Sequence, residues 1–378
     1  MYLGIDIRSL QERWPGGITS YTRELLTALV PYIADDSVLL FSSGWGAHLR
    51  QQTPFARLQN VRDVHLRVPN KLFNSSIAFF HRPTLDALLG KLDLFFAPNF
   101  PFVNVSDRCR LVVTVHDLSF VHFSHLLSPR MKLWYRCTRP QKVFERADKL
   151  IAISHATKRD LMETYGFPDT KIDVVYSGAP AEPFAKMPEK QAKSMCASLG
   201  IARPFFLILG ALEPRKNLST VVEAYRRLPK RIRESFDLVI AGASVWQQDG
   251  LLSTSLVSLE GIHKVGYVSP EQKIALFRAA SCFIFPSLYE GFGFPLLEAM
   301  SAGTPIIASN VSSIPEITED AAILCDPNDV DAFVSAVTQL VESESLRASL
   351  VEKGAKRVMD FSWSQAAEKT HNIFASLL

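Results

Sequence analysis

The sequence predicts an α/β protein of two doubly wound domains, each a parallel sheet flanked by helices. Three observations carry this expectation. The chain has 378 residues, more than one hydrophobic core usually organises. Short runs rich in β-formers alternate with longer amphipathic stretches, as parallel sheets with crossover helices require. One segment, Gly178–Pro188 with Pro180, Pro183 and Pro188, breaks both periodicities and reads as a linker.

In the first domain, residues 1–180, the strand candidates are Tyr2–Ile7, Val38–Ser42, Val61–Val68, Leu94–Ala97, Leu111–Val115, Leu150–Ile153 and Ile172–Tyr176. A helix is expected over Thr19–Tyr32, where Tyr21, Leu25, Leu26 and Leu29 repeat at helical spacing. In the second domain, residues 181–361, the candidates are Phe205–Leu209, Leu238–Ala241, Val265–Val268, Cys282–Phe285, Ile306–Ala308 and Ala322–Cys325. Residues 362–378 read as a closing helix with Trp363, Ala367, Thr370, Ile373 and Phe374 on one side, able to complete either domain. Open α/β sheets bind ligands outside the carboxyl ends of their strands. Functional residues are therefore expected just after strands, along a central cleft that two such domains would face.

Composition narrows the class. Hydrophobic residues make up 47% and charged residues 21%, too apolar for a largely disordered chain. A formal net charge of only +3 lacks the excess of a dedicated nucleic-acid binder, so no nucleic acid is expected as a partner. Cys109, Cys137, Cys196, Cys282 and Cys325 are scattered singly, which suggests neither disulfides nor zinc and fits the cytoplasm. The first apolar run meets Asp6 and Arg8 too early for a signal peptide, and no run approaches the roughly 20 apolar residues that span a bilayer. Membrane contact is expected to be peripheral if it occurs.

The most informative segment follows the strand Cys282–Phe285: Pro286-Ser-Leu-Tyr-Glu290-Gly-Phe-Gly293-Phe-Pro295-Leu-Leu-Glu298-Ala-Met, then Ser-Ala-Gly303-Thr-Pro305. Gly291 and Gly293 permit a tight turn, Pro295 suits a first helical turn, and Leu296–Ala302 reads as helical. Such a helix start points backbone N–H groups toward a ligand and suits a diphosphate. Glu298 is expected in the first turn, where it can accept from a ribose diol, and Glu290 on the loop can reach sugar hydroxyls. On spacing alone, a carboxylate at a helix start is commonplace.

The whole passage resembles the E-x7-E signature of the retaining GT-B glycosyltransferases of the large GT4-like family, which have two Rossmann-like domains; Glu290 and Glu298 stand in its glutamate positions. Three other landmarks appear in the family's order. Gly210-Ala-Leu-Glu-Pro-Arg215-Lys216-Asn217-Leu follows the first strand of the second domain, where the resemblance implies a basic pair on the donor's diphosphate. An Arg fork and a Lys point charge together can neutralise leaving phosphate oxygens. The glycine-rich Pro15-Gly16-Gly17-Ile18 is similar to the loop that approaches the donor phosphates and acceptor, with Gly17 favoured over Gly16. His116-Asp117-Leu118, at another strand end, matches the place of a histidine near the transferred sugar. His116 is expected to donate to a sugar hydroxyl; Asp117 either orients it or contacts the acceptor, or simply caps a turn.

The resemblance thus implies a catalytic set of His116, Arg215, Lys216 and Glu290. It implies a donor-binding set of Gly17, Arg215, Lys216, Tyr267, Val268, Glu290, Gly291, Phe292, Gly293, Phe294, Leu297 and Glu298, with the base near Tyr267 and Val268. Asn99 and Asp117 are candidates on the acceptor side. GDP-mannose is the expected donor, with a saccharide or lipid-linked saccharide as acceptor and no cofactor. A UDP-sugar enzyme, a phosphorylase-like or sucrose-type transferase on the same fold, and a silent nucleotide-sugar-binding subunit are the alternatives.

Asp329-Val330-Asp331 formally matches a metal-binding Asp-x-Asp, but it follows Pro327 at a helix start, where capping accounts for it, so no metal is expected. His122 and His125 lack a full ligand set in the sequence and read as loop residues. Most of Phe79, Phe80, Phe95, Phe96, Phe100 and Phe102 are expected in the core. The stretch Pro129–Lys149, interrupted by Pro140, interleaves seven Lys and Arg residues with Trp134, Tyr135 and Phe144. It can rest on anionic lipid at the inner face of a membrane or receive a lipid diphosphate, or it is an ordinary solvated helical face, the plainer of the two readings.

Overall fold

The fold is seen in a computed structural model that describes residues 1–11, 16–44, 55, 58–179, 184, 186–242 and 260–378. Pro15 of the glycine-rich loop and Pro180 and Pro183 of the expected linker lie outside the described residues. The chain forms two compact units, Met1–Gly178 with Ser362–Leu378, and Ala179–Phe361.

The first unit holds seven parallel strands: β1 (Tyr2–Asp6), β2 (Ser37–Ser43), β3 (Val61–Leu66), β4 (Leu94–Ala97), β5 (Arg110–Val115), β6 (Lys149–Ala152) and β7 (Ile172–Val174), in the order β3-β2-β1-β4-β5-β6-β7. Leu3 and Ile5 of β1 pair with β2 on one side and β4 on the other and are wholly buried. Helices on both faces leave central strands no wet side, so their sequences read as apolar runs rather than alternations. Each fully buried side chain of this size contributes about 2 kcal/mol.

Helix α1 (Gly17–Leu29) buries Tyr21, Leu25, Leu26 and Leu29 on one stripe. It starts earlier and stops sooner than the periodicity suggested. Pro31 has no N–H to continue the ladder, so Val30–Tyr32 tightens into a 3-10 turn. The terminal helix Trp363–Ala375 belongs to this unit: Trp363 meets the Tyr21 ring at 5.9 Å, and Phe374 meets Phe96 at 5.2 Å.

Helix α2 (Asn70–Phe80) turns Phe73 and Ile77 into the core. Phe79 lies off that stripe and Phe80 ends the helix; they are 67% and 76% exposed, the two exceptions to an expectation that holds for the other four. Phe95, Phe96, Phe100 and Phe102 are buried. The basic stretch forms α3 (Pro129–Thr138) and a second helix Pro140–Arg146, separated at Arg139 in the left-handed conformation (φ 46°).

The second unit holds β8 (Phe205–Leu209), β9 (Asp237–Ala241), β10 (Ile262–Gly266), β11 (Cys282–Phe285), β12 (Ile306–Ser309) and β13 (Ala322–Cys325), all parallel, in the order β10-β9-β8-β11-β12-β13. The strand expected at Val265–Val268 is displaced: β10 runs over Ile262–Gly266 and ends where Gly266 turns left-handed (φ 77°). In both sheets the strand order reverses beside the first strand, at β1/β4 and at β8/β11. Such a switch point opens a crevice at the carboxyl ends.

Close packing at that edge is specific. Gly242, just after β9, has φ 143°, and a Cβ there would sit 1.8 Å from the Gly210 carbonyl oxygen. Gly242→Ala is expected to cost about 3 kcal/mol, whereas Gly166→Ala, at a helix cap with open space around it, is expected to cost about 1 kcal/mol. Thermal denaturation of the two variants tests this; equal losses would rule out the close approach as the cause.

Candidate functional site

After β8 the chain makes a 3-10 turn, Pro214–Lys216, and enters α4 (Leu218–Arg227) through Asn217, which is left-handed (φ 53°). The Asn217 amide fixes this junction, donating to Pro327 O at 2.7 Å and accepting from Thr220 Oγ1 at 2.9 Å. The turn is tied to the loop after β11 by Leu288 N–H, which donates to Arg215 O at 2.8 Å. Two loops from either side of the switch point are thereby laid against each other.

Glu290 is where they meet. Arg215 Nη1 donates to Glu290 Oε2 at 3.0 Å and to Tyr289 O at 2.9 Å, while its Nε donates to Glu213 Oε2 at 2.9 Å. Lys216 Nζ lies 2.5 Å from Glu290 Oε1, which also accepts from Ser287 Oγ at 2.6 Å. The Glu290 N–H donates to Ser312 Oγ, and Ser313 Oγ donates to the carbonyls of Glu290 and Phe292. The Lys216 ammonium sits 4.8 Å from the Phe285 ring centroid.

Glu290 is buried, only 7% exposed, and Arg215 and Lys216 beside it are partly buried. Burial alone would raise its carboxyl, but the Arg215 and Lys216 charges and the Lys216 and Ser287 hydrogen bonds outweigh it and hold the group at about 2. Burial pushes Lys216 down, partly countered by Glu290. Both Glu290 oxygens are engaged by protein donors, so a sugar hydroxyl reaching this carboxylate must share or displace them. Chemically, the cluster presents one Arg fork and one Lys point charge at a single place, beside a small cavity lined by Gly210, Lys216, Phe285 and Ser287.

Helix α5 (Pro270–Ala279) starts with a Ser269–Gln272 capping box. Helix α6 (Phe294–Ala302) begins two residues before the expected start, because Gly293 (φ 107°) turns the chain and Pro295 fits the first turn. Glu298 is consequently its fifth residue and not in the first turn as expected. It is 8% exposed and paired with Lys273 of α5. Burial raises its carboxyl, opposed by Lys273.

Leu297 is wholly buried, so its side chain belongs to the core and only its main chain is available to a donor. Phe292 is also buried, with its ring edge-on to Phe294 at 5.3 Å and Phe361 at 5.9 Å. Gly291 is buried beside it. Tyr267 and Val268 lie past the end of β10, with Tyr267 56% exposed.

In the first unit, His116 follows β5 and donates from Nε2 to Pro98 O at 2.8 Å. A carbonyl can only accept, so the bond fixes the neutral tautomer with Nδ1 as an acceptor. Burial pushes His116 below the usual imidazole range, partly offset by that bond. The Nε2 proton is thus committed to Pro98 O, and the Nδ1 lone pair is what the neutral ring has left to offer. Its ring stands edge-on to Tyr21 at 4.8 Å, and Tyr21 Oη is 3.2 Å from Thr114 Oγ1.

Asp117 Oδ1 accepts from Ser119 N–H and Oγ at 3.0 and 2.7 Å, the turn-capping arrangement left open by the sequence. Asn99 Oδ1 accepts from Phe100 N–H at 3.0 Å. Gly17 is the first residue of α1 and exposed, after an extended Gly16. His122 Nε2 lies 3.7 Å from Asp160.

Sequence reasoning missed Ser287, Ser312, Ser313, Glu213 and Lys273. The two serines after β12 were findable from the rule that functional residues follow strands; nothing in the sequence joined Lys273 to Glu298. Asp329 caps α7 (Val330–Glu342) through Asp331 N–H and Ala332 N–H, and Asp331 pairs with Arg227.

Glu290→Gln would leave two partly buried cations short of a counter-charge, an expected loss of about 3 kcal/mol at neutral pH. The folded carboxyl titrates below the unfolded value of about 4.3, so this contribution is complete above that value and fades as pH falls toward about 2. Denaturant midpoints of the native chain and the variant from pH 7 to the acid limit test it. A gap that closes above pH 5 would contradict the ion cluster.

Residues 197–357 match the family described as Glycosyl transferases group 1, and residues 15–182 match Glycosyltransferase Family 4. The chain is 32% identical over 291 residues to the O-antigen chain mannosyltransferase B of Escherichia coli, covering 75% of this chain and 74% of that protein. Its fold is similar to sucrose-phosphate synthase from Thermosynechococcus elongatus (TM-score 0.72, 20% identity, 100% and 98% of the two chains). It is also similar to Anabaena HepE in complex with UDP-glucose (TM-score 0.71, 18% identity, 99% of each chain). With two parallel α/β sheets of this order and an extensive match to a mannosyltransferase, the chain belongs to the GT4-like, group 1 glycosyltransferases of the GT-B fold.

Proposed function

We propose that this glycosyltransferase moves mannose from GDP-mannose, with retention at the anomeric carbon and without a metal ion, to a saccharide or lipid-linked saccharide acceptor in surface-polysaccharide or glycan assembly. The observation that carries the reading is the convergence of Arg215, Lys216 and the loop leading to Gly293 at the switch point of the second sheet. Breaking the bond from the anomeric carbon to the diphosphate builds negative charge on the leaving oxygen. Preorganised cations and backbone N–H groups stabilise that charge. Arg215, Lys216 and the start of α6 are assigned to the phosphates, Glu298 to the ribose, and Tyr267 and Val268 to the base.

In the first unit, His116 is assigned to the sugar, as an acceptor of its hydroxyl proton, with Gly17, Asn99 and Asp117 on the acceptor side. The acceptor hydroxyl attacks the anomeric carbon on the face the diphosphate leaves, and its proton passes to the departing phosphate oxygen. Mannose is supported by the name of the Escherichia coli relative. A UDP-sugar is the second reading, favoured by the UDP-glucose complex of the HepE fold neighbour. Cytoplasmic placement, at or near a membrane surface, is part of the proposal; among the described residues no helix is long and apolar enough to cross a membrane.

A thermal-shift panel of GDP, UDP, ADP and their sugar conjugates, with and without EDTA, tests the donor, because a ligand that binds the folded state raises its melting point. GDP and GDP-mannose are expected to shift the midpoint, unaffected by EDTA. A UDP-selective shift would replace the donor, and an EDTA-sensitive one would overturn metal independence. Lys216→Ala is expected to lower kcat/KM at least a hundredfold, the scale of removing one transition-state charge partner. Full activity in that variant would remove the site assignment.

A further inference from the structure

Helices α2 and α3 of the first unit pack side by side. Their carboxyl ends are joined where Arg139 Nη1 donates to His81 Nε2 at 2.9 Å, each residue capping its helix in the left-handed conformation. The exposed surface of this pair carries Leu72, Phe79, Phe80 at the end of α2, Leu133 and Trp134, between 40% and 76% exposed. Single exposed apolar residues are common, but five large ones on two neighbouring helices make a patch that water does not favour.

The same surface is marked by charge. From Val64 to Leu85 and from Leu118 to Phe144 the sequence contains no Asp or Glu, yet it holds eight Lys or Arg, in a chain whose whole net charge is +3. Lys71, Arg130, Lys132 and Arg136 are exposed on α2 and α3 themselves. An isologous contact with a second copy would bring two basic faces together, which costs rather than gains free energy. Apolar side chains ringed by cations instead complement a surface that is anionic outside and apolar just beneath.

We propose that α2 and α3 form a docking face for an anionic lipid bilayer, with Leu72, Phe79, Phe80 and Leu133 entering the boundary between headgroups and acyl chains and the Lys and Arg side chains meeting lipid phosphates. This goes beyond the stretch 129–149 that the sequence singled out, because most of the apolar anchors come from α2. Trp134 meets the ring of Phe102 edge-on at 6.0 Å, and Arg8 Nη2 donates to the carbonyls of Pro101 and Phe102. The face is thus continuous with the loop after Asn99. The bilayer contact needs nothing from the donor assignment and is tested separately from it.

The experiment is flotation of the whole chain with vesicles of phosphatidylcholine alone and with vesicles containing about 30 mol % phosphatidylglycerol, at low and high salt. Partition into the anionic vesicles only, falling at high salt, is expected. Phe79→Ser/Phe80→Ser is expected to lower it about tenfold, as is Arg130→Glu/Lys132→Glu/Arg136→Glu, about fivefold or more per charge reversed. Met359→Ser, at an exposed apolar residue of the second unit, is the control and should leave partition unchanged. Melting by circular dichroism checks folding, and Phe80→Ser alone replaces the double variant if that one fails to fold. Equal partition into both vesicle types, no partition, or partition untouched by loss of the phenylalanines would overturn the proposal. So would a dimer in sedimentation velocity that Phe79→Ser/Phe80→Ser dissociates in the absence of lipid binding, or a single-stranded oligonucleotide that anionic vesicles cannot displace.

Discussion

The second unit is organised around one buried carboxylate. Glu290 binds Arg215 and Lys216 from the turn after β8, Ser287 from its own loop, and Ser312 through its main chain from the loop after β12. Three loops from three neighbouring strands are thereby pinned at the switch point. The desolvation of three charges is tolerable only because each has partners at hydrogen-bond distance. The start of α6 depends on this arrangement, since Ser313 holds both Glu290 O and Phe292 O just before Gly293 turns the chain.

What the sequence revealed follows from how parallel sheets are buried. Central strands such as Phe205–Leu209 and Cys282–Phe285 are covered on both faces, so unbroken apolar runs marked them. The edge strand β10 is half exposed, with only Ile262 buried, and its pattern was too weak to set its ends; the expectation Val265–Val268 starts three residues late and ends two late. Helix starts were misjudged for a related reason. Pro295 and Gly293 were recognised, but whether Phe294 is the first helical residue depends on backbone angles rather than on residue type. The resemblance located Arg215, Lys216 and Glu290, whereas their mutual pairing, across more than seventy residues of chain, could come only from the fold. The orientation of His116 was hidden for the same reason, because its partner is the main-chain oxygen of Pro98.

Aromatic content shows the limit of composition. Phenylalanines crowd the first unit, and a count alone assigns them inside. Phe73 and Phe79 share one helix and differ by six positions, which sets them about 120° apart around it. Burial depends on phase along the helix and on where the helix ends: Phe80 shares the phase of Phe73 but is the last helical residue and is exposed. The same logic separates Leu297, in the core, from its helix neighbour Glu298, which faces Lys273.

The pairing of Arg215 with Glu213 as well as Glu290 has a kinetic consequence. Two cations and two carboxylates in one cluster sum to no net charge, so the site projects little field into solvent. A polyanion diffusing nearby is not steered toward it, and its encounter rate should depend little on ionic strength. An anion reaching the cluster has to compete with the carboxylates for the Arg and Lys donors. On the proposed assignment, selectivity rests on exchange of partners at contact rather than on attraction from a distance.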